Sequence, residues 1–211
     1  MNVVQRISPE TVPGVRLVDS IDELKQIGQS DCAAVVWNRT ISRDALNWVD
    51  QIDVDLLPSI RVILPPHQVC DAMSKLCDID KTPKGPHRDW LVNDIATLAE
   101  AFADQTRTPY LRLRLSVVTT NACRKFHVDA ITTRLICTYR GTGTQYGLSA
   151  NGADPETVVT VRAGSPIVLR GRLWPNDPPS NVLHRSPPIE GSGETRLVLV
   201  LDPIFDPADE D

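Results

Sequence analysis

His127 and Asp129 stand two residues apart in "NACRKFHVDAITTRLICTYRGTG" (residues 121–143), just ahead of an apolar, β-branched stretch. In extended backbone, residues i and i+2 point to one face, so an imidazole and a carboxylate are presented together. A second histidine, His184 in "NVLHRSPP", lies 57 residues further on, at the end of another strand-like run. Two imidazole nitrogens and one carboxylate oxygen can occupy one face of an octahedral metal and leave the opposite positions open. That donor set suits iron(II), whereas a structural zinc site is more often closed by thiolates. Twelve residues beyond His184, Arg196 opens the last apolar run, "TRLVLVLD". A guanidinium inside such a strand is costly unless it meets an anion, and its planar fork matches a carboxylate.

Each of these residues also has a plainer reading. An isolated HxD is a weak pattern. His184 alone could be a satisfied edge histidine, and Arg196 could be the outward end of a strand in a surface ion pair. Cys123, four residues before His127, offers a thiolate that would turn the site toward zinc. The expectation is that it packs nearby as a small hydrophobe and is not a ligand. His67 and His87, in the proline-flanked "LPPHQV" and "KGPHRDW", read as surface or capping residues. "YRGTGTQYG" lacks the GK[ST] ending of a phosphate loop and reads as a turn beside the pocket mouth. Arg140 and Gln145 there are candidate substrate contacts. Arg134 is an alternative carboxylate clamp if Arg196 points outward. Trp174, in "GRLWPNDPPSN", sits on a loop that could form a lid or could simply be anchored by its aromatic ring.

The elements that must position these residues are legible in the pattern. "DSIDELKQIG" has Ser20 as an N-cap, Glu23 as its capping-box partner and Gly28 as a stop, which predicts a helix. "SRDALNWVDQI" predicts a second helix from Ser42, and Cys70 and Cys77 share a face of a short third one. In "RDWLVNDIATLAEAFADQ", Leu91, Ile95, Leu98 and Phe102 form a single apolar stripe. "CAAVVW" and "IRVILP" read as short strands. After Thr108 the period changes to two: "YLRLRLSVVTT" alternates leucine with arginine and serine. "TTRLICTY", "ETVVTVRA", "SPIVLRG", "SNVLHR" and "TRLVLVLD" follow at intervals too short for crossover helices. That spacing predicts an antiparallel sandwich or barrel with the N-terminal helices covering one sheet.

Composition bounds the function. The 211 residues suit one domain (1–211) with a proper core. A net charge of −5, with 22 basic against 27 acidic side chains, does not favour a nucleic-acid surface. No run is long and apolar enough for a membrane span or leader. Five cysteines without a CxxC pair fit a reducing compartment, and a cytoplasmic location is expected. The acidic end "DPADED" (residues 206–211 in its main part) reads as a solvated tail.

HxD, a distal histidine and an arginine on the last strand resemble the iron(II)/2-oxoglutarate dioxygenase superfamily over residues 110–203. "RAGSPIVLRG" resembles the glycine turn before its penultimate core strand, and "LHRSPP" the strand that carries its distal histidine. The resemblance implies an α+β fold with a double-stranded β-helix (jelly roll, cupin-like) core at 109–205, covered by a mixed α/β part at 1–108. It implies His127, Asp129 and His184 as metal ligands, with iron(II) as the metal and zinc as the alternative. It implies Arg196 as the partner of the distal carboxylate of 2-oxoglutarate, with oxidative decarboxylation of that co-substrate driving oxidation of a small molecule or protein side chain. Val198 stands where a hydroxyl partner of Arg196 is expected, so Thr138 or Tyr139 would have to serve from a neighbouring strand. At finer grain, "CRKFHVD" with "TRLICTYRGTGTQ" is similar to the bacterial family catalogued as domain of unknown function 1826. Genes of that family tend to accompany metal-homeostasis genes, notably zinc-related GTPases. This implies a metal context and a functional link to such GTPases, and it supports a second expectation of a non-catalytic jelly-roll protein that binds zinc.

Overall fold

The computed structural model describes residues 12–150, 152–175 and 180–209. The chain enters on β1 (Val15–Val18), passes a 3-10 segment (Ile21–Gly28), and forms β2 (Ala34–Trp37), α1 (Arg43–Gln51) and β3 (Ile60–Leu64). Two helices follow, α2 (Val69–Ile79) and α3 (Pro86–Thr106). The remainder is β4 (Tyr110–Val118), β5 (Thr133–Arg140), β6 (Gln145–Leu148), β7 (Val159–Thr160), β8 (Pro166–Arg170), β9 (Val182–Arg185) and β10 (Arg196–Ile204).

These strands make a seven-stranded sheet in the order β1-β2-β8-β5-β10-β4-β3 and a three-stranded sheet in the order β7-β6-β9. The expected antiparallel pairing holds throughout except at one edge, where β1 runs parallel to β2. The leucines of β4 explain the layering. Leu111, Leu113 and Leu115 are buried and meet Leu91, Ile95, Leu98 and Phe102 of α3, so the helices cover one face of the large sheet. Burial of each such side chain stabilises by about 1.5–3 kcal/mol. The opposite face carries Ile136, Ile167, Leu169 and Val198, which pack against Tyr146, Val159 and Val182 of the small sheet. Side chains at even positions of β4, and of β5 as far as Thr138, therefore point to the face that the small sheet partly covers.

Three details depart from the sequence reading. Residues 1–108 do more than cover the core, because β1, β2 and β3 extend the large sheet at both edges. The segment after Ser20 is 3-10 in type although its box forms, with the Glu23 carboxylate accepting from the Ser20 N–H at 3.1 Å. Part of the expected turn after β5 is a strand, β6, and "ETVVTVRA" yields only the two-residue β7. Among the described residues no helix is long and apolar enough to cross a membrane.

Candidate metal centre

His127 and His184 are joined through their backbones. The N–H of each donates to the carbonyl of the other at 3.0 Å, an isolated antiparallel bridge that extends the small sheet beyond β9. Asp129 is not on a strand, as the sequence suggested, but on an irregular loop tied down by the residues after β8. Gly171, Arg172 and Leu173 donate their N–H groups to the carbonyls of Thr132, Asp129 and Ile131 at 2.8, 2.9 and 3.0 Å. A Cβ at Gly171 would overlap the Ile131 carbonyl, so this approach needs glycine.

One ligand atom from each of His127, Asp129 and His184 lies within 4.8 Å of the other two. The Nδ1 of His127 is 2.8 Å from the Lys125 carbonyl. A carbonyl only accepts, so Nδ1 carries the proton and the Nε2 lone pair is left for the site. Nε2 of His127 stands 3.5 Å from Asp129 Oδ1, and Nε2 of His184 stands 3.1 Å from Asp129 Oδ2. That second approach does not meet hydrogen-bonding geometry, and Oδ2 is a buried oxygen with no hydrogen-bond partner among the described residues. A buried acceptor without a donor, facing two imidazole nitrogens, is the donor set that a divalent cation satisfies.

The electrostatics agree with that geometry. Burial would raise the Asp129 carboxyl, but the neighbouring ring nitrogens of His127 and His184 and the charge of Arg134 hold it well below the usual carboxylate range. The Asp129 carboxylate beside its ring raises His127 above its ordinary value. Burial pushes His184 down, toward the neutral form that a metal requires. Behind Asp129 lies a second carboxylate. Arg134 donates Nη1 to Asp129 Oδ1 at 2.7 Å, and its Nε and Nη2 to Asp202 at 2.6 and 2.9 Å. Asp202, on β10, is 1% exposed and also accepts from Arg114 at 3.2 Å.

A cavity of about 180 Å³ opens beside the three residues, between the two sheets, and its lining includes His127, His184, Ser186, Arg114, Arg134 and Arg196. Arg196 is 1% exposed. It donates Nε to the Thr142 carbonyl at 2.6 Å, Nη1 to the Ser186 hydroxyl at 3.1 Å and Nη2 to the Thr138 hydroxyl at 3.4 Å. Among the described residues no carboxylate lies within ion-pair distance of it. Burial without such a partner lowers Arg196 to about 10, against a smaller opposing pull from Glu194.

The other candidates divide. Thr138 reaches Arg196, but Tyr139 does not. It points to the helix side, where its hydroxyl donates to Asp94 at 2.6 Å, and Asp94 is also gripped by Arg39 at 2.6 and 2.7 Å. Tyr139 is the extra residue of a β-bulge: Leu197 pairs with Arg140 while Val198 pairs with Thr138. The bulge also turns Arg140 away from the cavity, to donate to the Ile52 carbonyl at 2.7 Å at the end of α1. Gln145 is held in the small sheet by Arg185, whose Nε donates to its side-chain oxygen at 2.8 Å, and it does not line the cavity. Trp174 packs against the helix-side core with Arg170 4.6 Å above its ring, as an anchored aromatic. Residues 176–179 of its loop lie outside the described residues. Cys123 is exposed at the cavity and outside the three-residue cluster. Arg134 is committed to Asp129 and Asp202, so it is not an open clamp.

Sequence reasoning missed Ser186, Asp202 and Arg114. Ser186 had a usable signal, because it lies two residues beyond His184 in an extended segment and so faces the same way.

The family described as "Protein of unknown function (DUF1826)" matches residues 18–202. No curated protein sequence matches the chain. Among solved structures, the dioxygenase for auxin oxidation of rice aligns over 94% of this chain and 84% of its own, at 13% identity and a TM-score of 0.52. Its Arabidopsis thaliana counterpart, in a binary complex with 2-oxoglutarate, aligns over 93% of both chains at 11% identity and a TM-score of 0.49. A Pseudomonas putida prolyl-4-hydroxylase aligns over 95% of this chain and 99% of its own at 12% identity and a TM-score of 0.46. At these identities the likeness is one of fold.

Proposed function

The chain belongs to the DUF1826 family, and because that membership names no reaction we propose one from the site: iron(II)- and 2-oxoglutarate-dependent oxidation of a substrate. The observation that carries this reading is Arg196, a buried guanidinium with only neutral acceptors, in one cavity with His127 and His184, the two histidines clustered with Asp129. A cation without a counter-ion at that depth is costly, and a carboxylate entering the cavity would neutralise it. The order β4-β10-β5-β8 facing β9-β6-β7 supports a double-stranded β-helix core, in which the two sheets hold the metal and the anion between them.

His127 and His184 would supply Nε2 and Asp129 Oδ2, with Lys125 and Arg134 holding the first histidine and the carboxylate in orientation. Iron(II), when bound, supplies the oxidative chemistry with dioxygen and 2-oxoglutarate. Arg196 would take the distal carboxylate of 2-oxoglutarate, and the hydroxyls of Thr138 and Ser186 fix its fork. The apolar walls of Ile136, Val198 and Val200 exclude water and so strengthen that pairing. The test is turnover: with iron(II), purified protein should convert 2-oxoglutarate to succinate slowly even without substrate, and His127→Ala should abolish this. No conversion by the wild type would count against the oxygenase.

The donor set also suits zinc, which supports a second reading, a non-catalytic metal-binding protein that works beside zinc-related GTPases. That reading leaves Arg196 without a purpose, and we place it second for that reason.

A further inference from the structure

We infer that the substrate of this site carries a carboxylate and that Arg114 is its anchor. The inference rests on the oxygenase reading, and it follows from what remains in the cavity once 2-oxoglutarate is accounted for.

Arg196 and Arg114 mark opposite ends. Arg196 sits at the start of β10 and pairs with Val118, whereas Arg114 pairs with Val200, four residues further along. At about 3.4 Å per residue the two positions are about 14 Å apart along the sheet. The metal-ligating cluster lies between them. Ser186, two residues from His184, touches Arg196, and Arg134, which touches Asp129, shares Asp202 with Arg114. A five-carbon diacid bound to a metal at the cluster and to Arg196 would fill one side only. The other side ends at Arg114.

Arg114 is poorly satisfied there. It gives one Nη2 hydrogen bond to Asp202, at 3.2 Å, and that carboxylate is already taken on both oxygens by Arg134. Its Nε is a buried donor with no partner among the described residues. The side chain keeps 30% of its surface exposed, open to an arriving ligand. The charge balance points the same way. Four arginines line the cavity, Arg114, Arg134, Arg185 and Arg196. The carboxylates that touch them or the metal cluster are Asp129 and Asp202. A divalent metal and dianionic 2-oxoglutarate cancel one another, and a positive surplus remains at the Arg114 end. The Nη groups of its planar fork keep hydrogens that Asp202 does not take, and such a pair matches a carboxylate in two bonds. With 2-oxoglutarate on one side of the cavity of about 180 Å³, what remains beside Arg114 admits a small organic acid or the acidic end of a larger one.

The test uses protein loaded anaerobically with iron(II) and saturated with 2-oxoglutarate, titrated with benzoate, phenylacetate and hexanoate, each beside its uncharged primary amide. Ligand entry is read as a shift of the metal-to-co-substrate absorption band. We expect at least one acid to shift the band and its amide not to. Arg114→Gln should weaken that acid at least tenfold while 2-oxoglutarate affinity stays within about threefold. Arg114→Lys, which keeps a charge beside Asp202 if the glutamine variant folds poorly, should fall between. Amides that bind as well as acids, an acid indifferent to Arg114, or a band that none of the acids shifts would each overturn the inference. If the band never forms in the wild type, the oxygenase reading itself fails and this inference falls with it.

Discussion

Asp202 acts on Asp129 without touching it. Arg134 donates Nη1 to Asp129 Oδ1 at 2.7 Å while Asp202 holds its Nε and Nη2 at 2.6 and 2.9 Å, so the buried Asp202 sets where the Asp129 carboxylate stands. Partners of this kind commonly contribute about 10–100-fold to metal affinity. Asp202→Asn should therefore weaken cobalt(II) or zinc(II) binding by about that factor, measured by calorimetry, although Asp202 would not be a ligand. Unchanged affinity in a folded Asp202→Asn protein would show that the Asp129 loop is held by the residue 171–173 contacts alone.

Arg196→Ala should raise the dissociation constant for 2-oxoglutarate at least tenfold, because removing one partner of a buried charge pair costs about 2–5 kcal/mol. Metal affinity, titrated in the absence of 2-oxoglutarate, should change little, since Arg196 would not touch the ion. Equal 2-oxoglutarate affinity in wild type and variant would remove Arg196 from the site.

Cys123→Ser should bind metal with nearly wild-type affinity and an unshifted ligand-field spectrum of the cobalt(II) form. The exposed thiol stands outside the His127, Asp129 and His184 cluster. A large loss of affinity with loss of a sulfur-to-metal band would instead make it a fourth ligand.

Tyr139 gives a pH dependence on the helix side of the sheet. Burial, with Asp94 and Cys137 nearby, raises its hydroxyl well above the ordinary tyrosine value. The unfolded chain ionises Tyr139 near about pH 10, whereas the folded chain keeps it protonated. Its stabilising contribution is thus complete below about pH 10 and is lost as pH climbs toward the raised folded value. Tyr139→Phe also loses the hydrogen bond to Asp94, which should cost about 1–3 kcal/mol at pH 7. In denaturant titrations the gap between wild type and variant should narrow above about pH 10. A gap independent of pH up to 11 would contradict the assignment.

The parts of the site written in residue type and spacing were legible in the sequence. His127, Asp129 and His184 could be brought together from the HxD and the distal histidine, and Arg196 from the cost of a guanidinium in an apolar strand. The leucine alternation of β4 and the Leu91, Ile95, Leu98 and Phe102 stripe placed the helices on one face. What stayed hidden depends on registers that a sequence does not print. Arg112 and Arg114 alternate with leucine and so read as a solvated face, yet a second sheet covers part of that side. Tyr139 follows Leu135 and Cys137 to the helix side by simple alternation, but the single-residue bulge there also turns Arg140 away from the cavity, and no pattern in "TRLICTYRG" announces that. Asp202 looks like the polar end of a strand until Arg134 is seen to bridge it to Asp129.

The most direct measurement of the central claim is the absorption spectrum of the protein mixed anaerobically with iron(II) and 2-oxoglutarate. A metal-to-co-substrate charge-transfer band should form in the wild type, be absent in His127→Ala and Asp129→Ala, and need at least tenfold more 2-oxoglutarate in Arg196→Ala. Iron(II) binding without any such band, at 2-oxoglutarate concentrations in the millimolar range, would contradict the claim and leave the non-catalytic metal-binding reading as the better one.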